Sequence, residues 1–347
     1  MSFKSAVAFA LALSFVAPIP VKADLLDLPG YDRMDVPARH RAQPLAVSLW
    51  YPAGRATYPV TIGENVIFSG EKALVGAAVA DDRHPLVLLS HGSGGAMDGL
   101  AWLSARLARR GAIVVGVNHP GTTSGDSSPR RTLRLAPRAA DLVAALDAVL
   151  SDPQLSGYVD RDRISALGFS LGGSTVLGLG GLRFDADSFA AYCEKVGRVS
   201  QDCAFFEKGG VNLRRIPESF SADMLDVRFS KIVSVDPGFT YAVQPESRER
   251  VRANVLFVNL GDENIWPAVD VSEKGSGLAR RLSGARREVI APAHHFTFLA
   301  VCKEGAADRL RAADDDPICD DPEGTDRAET HEKVADAVAA FLELPGR

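Results

Sequence analysis

Beyond its first two dozen residues the sequence has no apolar run long enough to cross a bilayer, which takes roughly 20 residues. It has no internal repeat and no low-complexity tract, so neither a solenoid nor a disordered or fibrous chain fits. Charge of one sign is not in large excess. Lys and Arg number 39 against 44 Asp and Glu, a formal net charge of -5. A mildly acidic chain with scattered arginines has no bulk attraction for nucleic acid. The acidic cluster Asp314, Asp315, Asp316, Asp320 and Asp321 lacks the ligand spacing of an EF-hand loop and reads as a solvated loop. Cysteine is scarce, at four residues.

What is present describes a globular protein: 347 residues, 46% hydrophobic and 24% charged, enough for one large α/β domain with insertions. The start reads as a secretion signal over residues 1–23. Lys4 is followed by an uncharged apolar run over 6–17 and by Val21-Lys22-Ala23, a small-x-small cleavage pattern. The mature chain, 24–347, is then exported to the periplasm or secreted. In that setting an even cysteine count suggests disulfides. The expected pairs are Cys193–Cys203 and Cys302–Cys319, each closing a short polar loop.

Continuous apolar runs at 85–90 (PLVLLS) and 112–117 (AIVVGV) have the pattern of strands buried on both faces. Further strands are expected at 45–51, 163–169, 232–235, 255–259 and 287–290. Helical spacing marks 100–110, 137–150, the stretch from 174 onward, and 327–344. Residues 65–79 are ambiguous. Strand and helix alternate, so the expected fold is a doubly wound, mostly parallel sheet. About fifty residues, roughly 183–230, break the rhythm, far more than an ordinary connection. They are read as an inserted lid or cap, with Phe205 and Phe206 contributing to an apolar pocket.

Gly168-Phe169-Ser170-Leu171-Gly172 matches G-x-S-x-G, between an expected strand and an expected helix. A serine on so tight a turn stands clear at the helix N-terminus, where the dipole favours developing negative charge. Ser170 is the candidate nucleophile. The loop Ser90-His91-Gly92-Ser93-Gly94-Gly95 follows the strand at 85–90. The backbone N–H groups of Ser93 and Leu171 are the candidate oxyanion donors. Of the histidines after Ser170, His331 falls in the last helix and is expected on its surface. His294 and His295 lie in the loop after the strand at 287–290. His295 is the candidate base, because Phe296, Phe298 and Leu299 can hold its ring. The acid is Asp236, after the strand at 232–235, or Asp262 or its neighbour Glu263, after the strand at 255–259. The sharp turn Pro237-Gly238 gives Asp236 a narrow preference.

On HPLVLLSHGSGG, RRGAIVVGVNHPG, GFSLGG and AHHFTFLAVC the chain resembles the platelet-activating-factor acetylhydrolase-like and dienelactone-hydrolase-like group of α/β-hydrolases. The resemblance runs from about residue 45 to 344, the insert excepted. In the acetylhydrolase branch the acid position falls on Asp236. In the dienelactone hydrolase branch it falls on Asp262 or Glu263. Dienelactone hydrolases proper carry a cysteine nucleophile, so Ser170 argues against that activity. The resemblance implies hydrolysis of accessible small-molecule carboxylic esters without a metal or cofactor. An amidase, peptidase or polyester esterase could use the same residues, and a catalytically dead binding protein could share the fold.

Overall fold

The computed structural model describes residues 27–263 and 265–345. The expected signal segment lies outside them. Ten strands form one sheet: β1 (Gly30–Val36), β2 (Leu45–Tyr51), β3 (Tyr58–Ile62), β4 (Glu71–Val75), β5 (His84–Ser90), β6 (Ile113–Val117), β7 (Val159–Phe169), β8 (Lys231–Val235), β9 (Asn254–Leu260) and β10 (Arg286–Ile290). Their order is β10-β9-β8-β7-β5-β6-β2-β1-β4-β3. The six strands from β10 to β6 are mutually parallel, and β2 joins β6 antiparallel.

The period of two along each strand explains the continuous apolar runs. Leu86 and Leu88 of β5 enter the core on one face, Val87 and Leu89 that on the other. Helices α1 (Ala101–Arg109) and α6 (Arg327–Leu342) cover one face through Trp102, Leu103, Val334 and Val338. Helices α2 (Leu135–Ser151) and α3 (Leu171–Leu179) cover the other through Leu142, Leu146 and Val176. Strands β1 and β3 had no clear sequence signal. Their alternation is blurred by Asp32, Arg33 and Asp35 in β1 and by an exposed Tyr58 and Pro59 in β3. The ambiguous stretch 65–79 contains β4. No described helix is long and apolar enough to cross a membrane.

The segment 183–230 carries α4 (Ala186–Val196) and α5 (Gln201–Lys208), joined by the Cys193–Cys203 disulfide. The second bridge is Cys302–Cys319. The insert is rooted in the main core. Phe184, Phe189, Phe206 and Phe220 are buried around Phe239, with Phe189 and Phe220 in edge contact with it at 4.9 and 5.0 Å. Phe206 therefore belongs to this cluster and not to a pocket wall, because its place on α5 turns it inward. Phe205, the next residue round the helix, is 38% exposed. Emptying the cluster should unfold insert and domain together. Phe189→Ala is expected to cost about 3–5 kcal/mol in a single cooperative urea transition. An early transition confined to the insert would contradict this packing.

Candidate active site

The turn between β7 and α3 is built for close approach. Ser170 has φ 56° and ψ -119°, a conformation a side chain rarely adopts. A Cβ on Gly168 would lie 2.1 Å from the Gly172 carbonyl oxygen, and one on Gly172 would lie 2.0 Å from that of Ser90. The G-x-S-x-G spacing is thus a steric requirement of the turn. Ser170 donates its backbone N–H to the Val235 carbonyl at 2.9 Å, which ties the turn to the end of β8.

His295 brings Nε2 to 3.1 Å from Ser170 Oγ and Nδ1 to 3.1 Å from Asp236 Oδ2. With Nδ1–H donating to the carboxylate, Nε2 is free to accept the serine proton. Asp236 is wholly buried. Its other oxygen, Oδ1, accepts from the Leu260 N–H at 3.0 Å and from Asn259 Nδ2 at 3.1 Å. Asp262 and Glu263 are exposed and lie outside this chain of contacts. Asn259 carries no motif. A lone amide at the end of the apolar strand NVLFVNL was the available signal. Its Oδ1 accepts from Arg287 Nε at 2.8 Å, which fixes the amide orientation.

The imidazole of His295 lies between two rings, Phe169 and Trp266, each with its centroid 4.6 Å away. Of the expected holders, Phe296 has its ring centroid 5.7 Å from that of His295, and Phe298 acts through Phe169. Phe296 meets Trp266 edge-on at 4.9 Å, and Phe298 stacks behind Phe169 at 4.4 Å. Trp266 had no motif to reveal it. His294 caps the turn that carries the base: its Nδ1 accepts from the Phe296 N–H, so Nε2–H donates to the Asp320 carbonyl at 2.8 Å. Thr297 accepts from the His294 N–H and donates to Asp321, which is paired with Arg327. The acidic loop is therefore not merely solvated, since Asp321 braces the base loop.

His331 is buried, not on the surface as expected. It stacks on Trp102 at 3.7 Å and donates from Nε2 to the Thr297 and Leu299 carbonyls, both at 3.0 Å. The helical pattern misled because this polar residue lies on the inward stripe of α6, where its Nε2–H meets the carbonyls of the loop that carries His295.

Ser93 and Leu171 flank Ser170. A Cβ on Gly92 would lie 3.2 Å from the Ser170 Cβ. Neither the Ser93 nor the Leu171 backbone N–H has an acceptor among the described residues. The Ser93 hydroxyl is held by Thr132 Oγ1 at 2.8 Å. Thr132 ends a short turn, Pro129–Thr132, against which α5 of the insert packs. The same helix also packs on the turn Pro267–Val269, next to Trp266. The insert thus packs on the segment whose Thr132 holds Ser93 and on the turn next to Trp266.

No known family profile matches the chain. Two curated proteins of Thermobifida alba are similar over 107 residues: Cutinase est1 at 32% identity and Cutinase est2 at 31%. Each match takes in 30% of this chain and 33% of the relative, so the chain spans about a third of the length of the curated relatives it matches. Among solved structures, the ferulic acid esterase from Streptomyces cinnamoneus aligns with TM-score 0.59 and 19% identity. That alignment covers 95% of this chain and 93% of that one. A dienelactone hydrolase from Anabaena variabilis aligns with TM-score 0.48 and 13% identity, over 91% and 97%. The fold is that of the α/β-hydrolases.

Burial pushes the His331 pKa down to about 3. The folded chain keeps it neutral while the unfolded chain protonates it below about 6.5, so its contribution to stability is full above that pH and lost as pH falls toward 3. Between pH 7 and 5, wild type should lose on the order of 2 kcal/mol more stability than His331→Gln in urea unfolding. Parallel losses in the two proteins would refute a buried neutral His331.

Proposed function

We propose that the chain hydrolyses carboxylic esters through an acyl-serine intermediate on Ser170. The observation that carries this reading is the unbroken line Ser170–His295–Asp236, with both contacts at 3.1 Å. His295 Nε2 takes the Ser170 proton as Oγ attacks the ester carbonyl. The N–H groups of Ser93 and Leu171 receive the oxyanion. His295 returns the proton to the departing alcohol, then activates a water that releases the acid. Asp236 holds the imidazole tautomer and offsets the imidazolium charge. Trp266 and Phe296 offer an apolar surface beside His295 for an acyl or alcohol group. The insert forms a cap wall, with Phe205 on its outer side. The names of the similar proteins, two cutinases and a ferulic acid esterase, favour an ester over an amide. Two disulfides and the N-terminal pattern support export to an oxidising compartment.

A fluorophosphonate probe should label wild type and not Ser170→Ala; equal labelling of both would remove Ser170 as nucleophile. On p-nitrophenyl acetate, Asp236→Asn should lower kcat by roughly 10⁴-fold. Asp262→Asn should leave kcat unchanged. The reverse pattern would reassign the acid. Turnover of a p-nitroanilide faster than the ester would favour the amidase reading.

A further inference from the structure

A buried guanidinium stands behind the site and takes no part in the proton transfers described above. Arg138, on α2, is only 1% exposed. Its Nε donates to Thr175 Oγ1 at 3.1 Å, and its Nη2 to Ser90 Oγ at 3.1 Å and to the His91 carbonyl. Its Nη1 donates to Thr122 Oγ1. All four acceptors are neutral. The compensating acid is Asp141, one turn along the same helix. Its oxygens are taken by Arg41 at 2.8 and 2.7 Å, by His40 at 2.7 Å and by His119 at 2.9 Å. Burial lowers the Arg138 pKa to about 9, although Asp141 opposes the shift. A cation buried this deeply without a bonded carboxylate is costly, so a role beyond filling space is expected of it.

Its acceptors lie on two segments that must stay in register. The His91 carbonyl opens the loop that bears Ser93. Thr175 lies on α3, and its hydroxyl donates in turn to the Leu171 carbonyl at 2.8 Å. One planar group thus reaches both segments that carry a candidate oxyanion N–H. Between them the packing is backbone on backbone, since a Cβ on Gly172 would meet the carbonyl oxygens of Ser90 at 2.0 Å and His91 at 2.8 Å. With no side chain in that gap, the spacing is set from behind.

A second layer fixes the guanidinium. His119 Nδ1–H donates to Asp141, so its Nε2, 2.9 Å from Ser90 Oγ, accepts the serine hydroxyl proton. The Ser90 oxygen is then left to accept from Arg138. Burial pushes the His119 pKa down to about 4, and Arg138 adds to the shift, so the ring keeps this neutral form at ordinary pH. His91 is likewise held well below its usual pKa by burial, then by Arg138 and His119.

We infer that Arg138 is a positioning residue for the oxyanion site, holding the Ser93 and Leu171 N–H groups at their working separation. The inference rests on the reading of Ser170 as an acyl-transfer nucleophile. It differs from a merely structural role in one readout. Sulfur is larger than oxygen and a weaker hydrogen-bond acceptor, so a well-formed oxyanion site favours an oxygen ester over the matching thionoester.

The test compares kcat and KM for an aryl ester and its thionoester in the full-length wild type and in Arg138→Lys, Thr175→Val and Thr175→Ser. Arg138→Lys keeps the charge but loses the planar fork. Thr175→Val leaves Arg138 in place and removes its link to α3 together with the bond from the Thr175 hydroxyl to the Leu171 carbonyl, should the first variant fold poorly. Both are expected to lower kcat for the ester by roughly 10- to 100-fold, with KM within about two-fold, short of deleting a donor outright. The ester-to-thionoester ratio should fall in both, and Thr175→Ser, which restores the hydroxyl, should restore it. A ratio unchanged from wild type in a folded variant, whatever the absolute rates, would overturn the inference. Failure of wild type itself to turn over the oxygen ester would overturn the proposed function and this inference with it.

Discussion

The end of β5 and the first turn of α3 meet with no side chain between them. The Ser90 carbonyl oxygen stands 2.0 Å from where a Cβ on Gly172 would be, and the Gly172 carbonyl stands 2.1 Å from where one on Gly168 would be. That contact forces Ser170 into a left-handed turn and sets Gly92 against its Cβ. Such a turn stores strain that the surrounding sheet must hold. It is held by the parallel strands β5, β7 and β8, through the bond from Ser170 N–H to Val235 and through Arg138 behind the loop.

The candidate base is held by a different means. His295 sits on a short turn, and several groups fix that turn. Trp102 donates to the Phe298 carbonyl, His331 donates to the Thr297 and Leu299 carbonyls, and Asp321 braces Thr297. Phe169 and Trp266 confine the ring from either face. The candidate acid, Asp236, is buried and given two donors besides His295, from Leu260 and Asn259. Phe239, three residues after it, is locked into the aromatic cluster of the insert. The insert therefore packs on Phe239 near the acid turn, and its helix α5 packs on Pro129–Thr132 and Pro267–Val269, which ties its packing to the geometry of the proposed triad.

Much of this could be read from residue order alone, for a physical reason. Buried parallel strands announce themselves as unbroken apolar runs, as in PLVLLS and AIVVGV. A turn too tight for a Cβ announces itself as G-x-S-x-G. Both are local constraints. What stayed hidden depends on contacts between residues far apart in the chain. Asp236 and Asp262 end neighbouring strands, and only the three-dimensional register puts one beside His295 and leaves the other in solvent. Trp266 lies in an irregular stretch with no pattern. His331 lay where a polar residue in an amphipathic helix is expected to face water, and it turned inward because the base loop offered carbonyls. Phe206, expected to line an apolar pocket, is directed into the core by its place on α5. Arg138 sits in a helix where arginine is usually a surface residue, and nothing in its spacing revealed a buried partner set.

The proposed function requires that the Ser170 hydroxyl, activated by His295, become the acyl carrier. The most direct measurement is rapid acid quenching during p-nitrophenyl ester turnover, followed by mass analysis of the intact chain and its peptides. An added acyl mass is expected on the peptide containing Ser170, matched by an early burst of p-nitrophenol in proportion to enzyme. Steady hydrolysis that depends on His295 but never places acyl mass on that peptide would contradict it.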